Sequence, residues 1–403
     1  MMPELGRRIA FTLGALLIYR FGTYIPLPGI APEVWQQIFR SQAGGILGTF
    51  DTISGGGIHR MAIFALGLMP LLSAAIIIQV LTIVSSTLKA LRKQGERGRR
   101  TIDAYTLYLT ALLSIFQSYG IAIGLEGAGT VVSEPGWPFR ISTVLTLTGG
   151  VMVLTWLAGQ ITARGLGNGV ALILFAGIVA GLPADIAGNF ELDRQGVLSS
   201  ENILALLAWT IALTALIVVV ERARRRLLLH SQSGEVSNRW HLPFKLNSAG
   251  VMPTVFASLI LSLPMTIVFA VVPEWSGGPF RYGGPLFLLA YGIVMMVFTF
   301  LYTAFLIDPD EVAETIRRHG GFIPGLSPGE FTAGHIDYVV TRITVIGAAY
   351  LTLVYLGPVV LAASVPAPFY FGGASFLIVV CTILDLEDHV RAFSSVQPGA
   401  QHQ

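Results

Sequence analysis

Segments of roughly 20 predominantly apolar residues recur along this chain, and no other feature limits its fold so tightly. A helix advances about 1.5 Å per residue, so a segment of that length matches a hydrocarbon core about 30 Å thick. By that measure the sequence predicts spans at 8–26, 61–86, 104–124, 141–163, 168–188, 202–220, 250–273, 285–307, 341–363 and 368–386. Only 12% of the 403 residues are charged and 53% are hydrophobic, whereas a soluble domain carries about 25% charge. The surplus apolar surface has to face lipid. The expected fold class is an all-α polytopic membrane protein of about ten transmembrane helices.

An even number of crossings puts both termini on the same side, and the distribution of Lys and Arg chooses that side. Short basic loops stay cytoplasmic. With the N-terminus inside, nineteen of the 25 basic residues lie on the cytoplasmic side, among them Arg7, Arg8, Lys89, Arg92, Arg97, Arg99, Arg100, Arg164, Arg222 and Lys245. Five fall outside (Arg40, Arg60, Arg140, Arg194, Arg281), and Arg20 lies near the outer end of the first span, where it could snorkel or cap a neighbouring carbonyl. Met1 to Arg8 is short and basic, but the apolar stretch after it has no small-residue cleavage pattern, so it reads as an ordinary first span. The lone cysteine, Cys381, excludes an intrachain disulfide and a cysteine-cluster metal site.

Three connections are long enough to carry a role. The outer segment 27–60 holds glycines at Gly44, Gly45, Gly55, Gly56 and Gly57 around the short apolar run ILGTFDTIS. That pattern suits either a small re-entrant helix with flexible ends or a plain surface loop. The inner loop 222–249 has β-prone runs on both sides of Gly234, which predicts a hairpin. The inner loop 308–340 opens on Asp308-Pro309-Asp310-Glu311, a helix-start signature, and Arg317, Arg318 and Gly320 predict its end. GFIPGLSPGE then has to be irregular, with two prolines and three glycines in ten residues. Arg224, Arg225, Arg226, Arg239, Arg317 and Arg318 make these inner loops candidate docking surfaces for a large cytoplasmic partner.

The predicted membrane interior is nearly free of ionisable groups. From the second span to the tenth, no Asp, Glu, His, Lys or Arg falls mid-segment; the polar residues there are neutral, such as Ser73, Gln79, Gln160 and Ser258. An ion-coupled carrier needs buried carboxylates or other ion ligands near the midplane, and an intramembrane protease needs a catalytic cluster. Neither pattern occurs, nor does a phosphate-cradling GxxxxGK[ST] sequence. A passive conduit, with no catalytic residue and no cofactor, fits better than a small-solute transporter or a structural assembly factor.

Several stretches in order resemble the SecY family of protein-translocation channels. They are PELGRRIAFTLGALLIYRFGTYIPLPGI, IFALGLMPLLSAAIIIQVLT, GNGVALILFAGIVAGLP, HLPFKLNSAGVMPTVFAS, GGFIPGLSPGE and FYFGGASFLIVV. The resemblance runs collinearly from about residue 3 to 390. It implies two inverted five-helix halves, here 1–188 and 189–403, around a central pore. It implies a pore ring at Leu72, Ile76, Leu174, Ile178, Val255 and Ile378, all aliphatic here, with two pairs spaced to share a helix face. A narrow aliphatic waist dewets and blocks ions, yet yields around a threaded polypeptide. The segment at about 44–58 corresponds to the family's plug, with the five glycines as hinges, and Gln79 and Ser258 to its lateral gate.

As partners the resemblance implies SecE and SecG subunits, the SecA motor or the ribosome, signal sequences, unfolded secretory chains and membrane lipid. Nucleic acid enters only through the ribosome. The implied location is a bacterial inner membrane. One departure stands out: GIRPGE of the family reads GLSPGE here, so Ser327 replaces a usual arginine and cannot supply a bidentate charged contact.

Overall fold

The computed structural model describes residues 2–42, 46–195, 199–231, 240–258, 261, 283–318, 321–327, 329–364 and 373–395. Their contacts divide the chain into two compact units. One is built on Met1–Leu198 together with Ile378–Gln403, the other on Ser199–Pro366.

The first unit begins with α1 (Met2–Gly22), α2 (Pro32–Gln42) and the short α3 (Ile46–Ile53). It continues through α4 (Met69–Val84), α5 (Ser86–Lys93), α6 (Glu96–Gly127), α7 (Trp137–Arg164) and α8 (Gly169–Arg194). The second holds α9 (Ser200–Arg222), β1 (Arg224–Ser231), β2 (Trp240–Lys245) and α10 (252–258). After these come α11 (Pro285–Leu306), α12 (Pro309–Arg318), β3 (Gly321–Phe322) and α13 (Glu330–Ser364). The last helix, α14 (Gly373–Ser395), joins the first unit from Ile378 onward. Among the described residues, six helices are long and apolar enough to cross a membrane, or seven if α4 and α5, bent by 103° at Ser85, form one broken span. Most of the expected span at 250–273 lies outside the described residues.

Two expected spans have boundaries other than those the apolar run suggests. The helix expected over 8–26 ends at Gly22, and the one expected over 61–86 begins only at Met69. Ile25 and Leu27 each precede a proline and are therefore biased to extended backbone. That stretch hydrogen-bonds to the other: Leu27 N–H donates to Met61 O at 2.9 Å and Ile63 N–H to Ile25 O at 2.9 Å. Non-helical backbone inside a membrane protein survives only where protein covers it. Here Met61, Ala62, Phe64, Ala65 and Leu68 are all buried, and Met61 and Ala65 share a cluster with Leu27, Leu125, Val131, Phe139 and Leu147. Apolar composition marked the segment as membrane-embedded but could not separate a helix from a buried loop.

The expected hairpin is present. β1 and β2 pair antiparallel from Arg224↔Lys245 to Leu229↔Trp240. Gly234 lies outside the described residues. The stretch after α12, expected to be wholly irregular, begins instead with β3, whose Phe322 and Gly321 pair with His230 and Ser231. The two loops thus share one sheet, ordered β2-β1-β3. Beneath it, Phe244, Ala313, Ile316 and Ile323 pack against Ile336, Val339 and Val340 of α13. Where the chain leaves the hairpin, buried Asn247 donates to Glu221 Oε1 at 2.7 Å, and the Tyr350 hydroxyl donates to the same oxygen at 3.3 Å.

Asp308 caps α12 as its sequence signature implies: Oδ1 accepts from Asp310 N–H at 3.1 Å and Glu311 N–H at 3.4 Å. Asp308→Ala should lower the local stability of α12 by about 1 kcal/mol. Amide hydrogen exchange in the first turn of that helix should then quicken by roughly fivefold.

Candidate functional site

α4 carries Leu72 and Ile76 one helical turn apart, and α8 carries Leu174 and Ile178 in the same spacing. Val255 lies on α10 of the second unit, and Ile378 on α14. All six side chains are buried; Ile178 is 0% exposed. The contrast with aliphatic and aromatic residues elsewhere on these helices is large: Val84 of α4 is 80% exposed and Phe190 of α8 53%. The ring positions therefore face protein, while other apolar residues cover the outside.

The segment assigned to a plug forms α3, eight residues long, followed by a turn at residues 54–57. Gly44 and Gly45 lie outside the described residues. Gly55 and Gly56 have φ of +72° and +79°, a left-handed backbone that favours glycine. The loop is tightly organised, whereas the sequence suggested loose glycine hinges at this end. Asp51 in α3 accepts from the N–H groups of Ile58 and His59, both at 2.9 Å, and its second oxygen pairs with His59 Nδ1 at 2.8 Å. Gly55 seats against Gly177 of α8: a Cβ on Gly177 would lie 3.1 Å from Gly55 N and 3.2 Å from its Cα. Gly177 directly precedes Ile178, so the plug turn is packed beside a ring position. Asp51, His59 and Gly177 carried no sequence signal that would mark them, because their partners are brought together only by the fold.

The two residues assigned to a lateral gate differ in their surroundings. Gln79 is half-buried and its Oε1 has no hydrogen-bond partner among the described residues. Ser258 is engaged within its own unit: its hydroxyl lies 2.7 Å from the Tyr291 hydroxyl and donates to Thr254 O at 2.9 Å. Tyr291 also reaches Thr254 O at 3.2 Å and stacks on Tyr355, with ring centroids 3.9 Å apart and nearly parallel. This cluster ties α10, which carries Val255, to α11 and α13.

Of the basic residues assigned to docking, Arg224 and Arg225 are exposed on β1. Arg226 lies on the same strand, and Arg239 falls outside the described residues. Arg317 grips Glu314 through two bonds of 2.8 and 2.9 Å, and Arg318 adds a third at 3.1 Å. These donors hold the Glu314 carboxyl down at about 2, so the pair is complete above the ordinary carboxylate range and is lost as pH falls toward that value. Sequence reasoning counted both arginines as free positive charge, whereas Glu314 offsets part of it. Ser327 is exposed, and its carbonyl accepts from Thr332 Oγ1 at 2.9 Å.

The SecY family model matches residues 62–386. Protein translocase subunit SecY of Escherichia coli (strain K12) is 43% identical over 97% of this chain and 92% of its own length. Its counterpart in Rickettsia conorii is 41% identical over 98% and 95%. Among solved structures, a protein-conducting channel aligns with a TM-score of 0.69 at 18% identity, covering 99% of this chain and 95% of that one. A SecY protein whose plug domain stabilises the closed channel aligns at 0.70, also at 18% identity and with the same coverage. Sec61 from the canine ribosome–channel complex aligns at 0.68 and 16% identity, covering 99% and 95%. The agreement in fold extends over almost the entire chain.

Hydrogen bonds between helices in membranes average about 0.6 kcal/mol. Ser258→Ala should therefore cost the purified protein about 0.6 kcal/mol. Tyr291→Phe should cost more, about 1–2 kcal/mol, because it removes the hydroxyl that touches both Ser258 Oγ and Thr254 O. Thermal unfolding in detergent measures both.

Proposed function

The chain belongs to the SecY family, and from that premise we propose that it is the channel-forming subunit of a protein translocase. It passes unfolded secretory polypeptides across a bacterial inner membrane and releases hydrophobic helices sideways into lipid. It is not an enzyme; the driving force comes from outside the chain. The observation that carries this reading is the burial of six aliphatic side chains at the ring positions, with the plug turn seated beside one of them. A waist without polar atoms offers an ion nothing in place of its hydration shell, so it stays dry and closed when idle. Flexible side chains can still close around an extended polypeptide.

The halves 1–188 and 189–403 are the moving parts of this reading; the contact unit changes at Leu198–Ser199, ten residues past that boundary, while Ile378–Gln403 group with the first unit. Both termini are cytoplasmic, by the excess of Lys and Arg on that side. The sheet β2-β1-β3 with α12 is then the cytoplasmic face on which SecA or a translating ribosome docks. SecE clamps the halves and SecG flanks them. Gln79, whose carbonyl oxygen has no partner among the described residues, and Ser258 border the lateral gate.

Crosslinking from residue 255 or 378 to an arrested secretory chain tests the reading directly: adducts are expected at both positions, and their absence rejects the conduit. Ile378→Asn or Val255→Asn should wet the waist, raising ion leak and admitting defective signal sequences. Unchanged planar-bilayer conductance and unchanged signal stringency would count against the seal. Ser327→Arg should strengthen SecA-dependent export, and equal translocation rates in vesicles reject that role.

A further inference from the structure

The turn that follows the plug helix exposes two backbone carbonyls, those of Ser54 and Gly55, and neither is answered by the turn's own backbone. Both are met by side chains of α1. The buried Tyr19 hydroxyl donates to Ser54 O at 3.0 Å, and Arg20 Nη1 donates to Gly55 O at 2.7 Å. We propose that Tyr19 and Arg20 are positioning residues that clasp the plug turn in the closed channel, and that Gly177 of α8 sets the clasp so that widening the ring releases it. This rests on the plug reading given above and names the residues that govern it.

The geometry supports each part. The Tyr19 ring is stacked on Phe64, with centroids 6.3 Å apart, so its hydroxyl has one direction in which to point. Arg20 is steered from its other side, where Nη2 donates to the Tyr24 hydroxyl at 2.9 Å and the guanidinium lies 4.8 Å from the centre of that ring. Arg60 stacks on the same ring at 4.1 Å, and burial lowers its pKa from the ordinary arginine value. Gly177 leaves no space behind the hydroxyl: a Cβ there would lie 2.7 Å from the Tyr19 oxygen. Thus α1, the plug turn and α8 meet at one point, and α8 carries Leu174 and Ile178. A passing chain that pushes α8 outward withdraws the support behind Tyr19. The freed carbonyls can then be hydrated by water entering the open pore, which makes release reversible. Because the plug contributes only backbone oxygens, selectivity for the closed position resides in α1.

The test uses the full chain with its copurifying subunits in planar bilayers, and reads the ratio of idle to chain-occupied conductance. A loss of folding would lower both conductances together, whereas a loosened clasp raises only the idle one. Tyr19→Phe deletes a single oxygen and keeps the stacked ring; it should raise the ratio about fivefold. Arg20→Met, which removes a charged donor, should raise it about tenfold or more, with Arg20→Lys falling between. Gly177→Ala should raise it as well, and less than additively in the Tyr19→Phe background, since both act on the same contact. Deleting Ile46–Ile53 is the reference. If the deletion raises idle conductance while Tyr19→Phe and Arg20→Met leave it unchanged, the clasp is wrong and the plug stands. If the deletion itself has no effect, the plug reading falls and the clasp with it.

Discussion

A peptide group in hydrocarbon has no water to turn to, and every other feature of this protein is arranged around that cost. An unpaired N–H or C=O in the membrane costs several kcal/mol, so the chain crosses in helices and leaves helical geometry only where protein surrounds it. The stretches at 23–31 and 61–68 illustrate the exception. They pair with each other through main-chain bonds, and buried Leu27, Met61 and Ala65 pack beneath the pairing. The turn after α3 is a second case, since its carbonyls are answered from α1. Where the backbone departs from a helix, a side chain or another strand of backbone has been supplied to meet it.

The same cost explains how the proposed waist can be made of side chains that form no specific interaction at all. A ring of leucine, isoleucine and valine has no donor or acceptor for an ion or a water molecule, so its seal comes from what it withholds. Such a seal tolerates a moving polypeptide because aliphatic contacts are individually weak and undirected. In the proposed channel, directed interactions then have to hold what the waist leaves free to move. Asp51 with His59 organises the plug turn, and Tyr291 ties Ser258 and Thr254 to the neighbouring helix. The polar residues of the interior serve as fasteners.

Outside the membrane the balance reverses. The two loops of the second unit are joined by β3 pairing with β1, so a surface that reads as two separate protrusions is one sheet with a helix beneath it. Its charge is also less uniform than composition implies. Glu314 pairs with both Arg317 and Arg318, and Arg224 and Arg225 are exposed on the strand. The surface proposed for docking carries mixed charge.

The sequence alone determined that the chain is a bundle of membrane helices, because span length is set by bilayer thickness and is visible in any run of apolar residues. It also disclosed the α12 start at Asp308 and the β1–β2 hairpin, since caps and turns are written in neighbouring residues. The family resemblance carried the ring positions, which no periodicity distinguishes from ordinary aliphatic residues. Only the tertiary structure decided that 61–68 is buried loop, that β3 joins β1, and that Tyr19 and Arg20 meet carbonyls 35 residues away along the chain. These are contacts between segments far apart in sequence. Local composition records how greasy a segment is and how it begins and ends, but not which distant backbone it will be asked to satisfy.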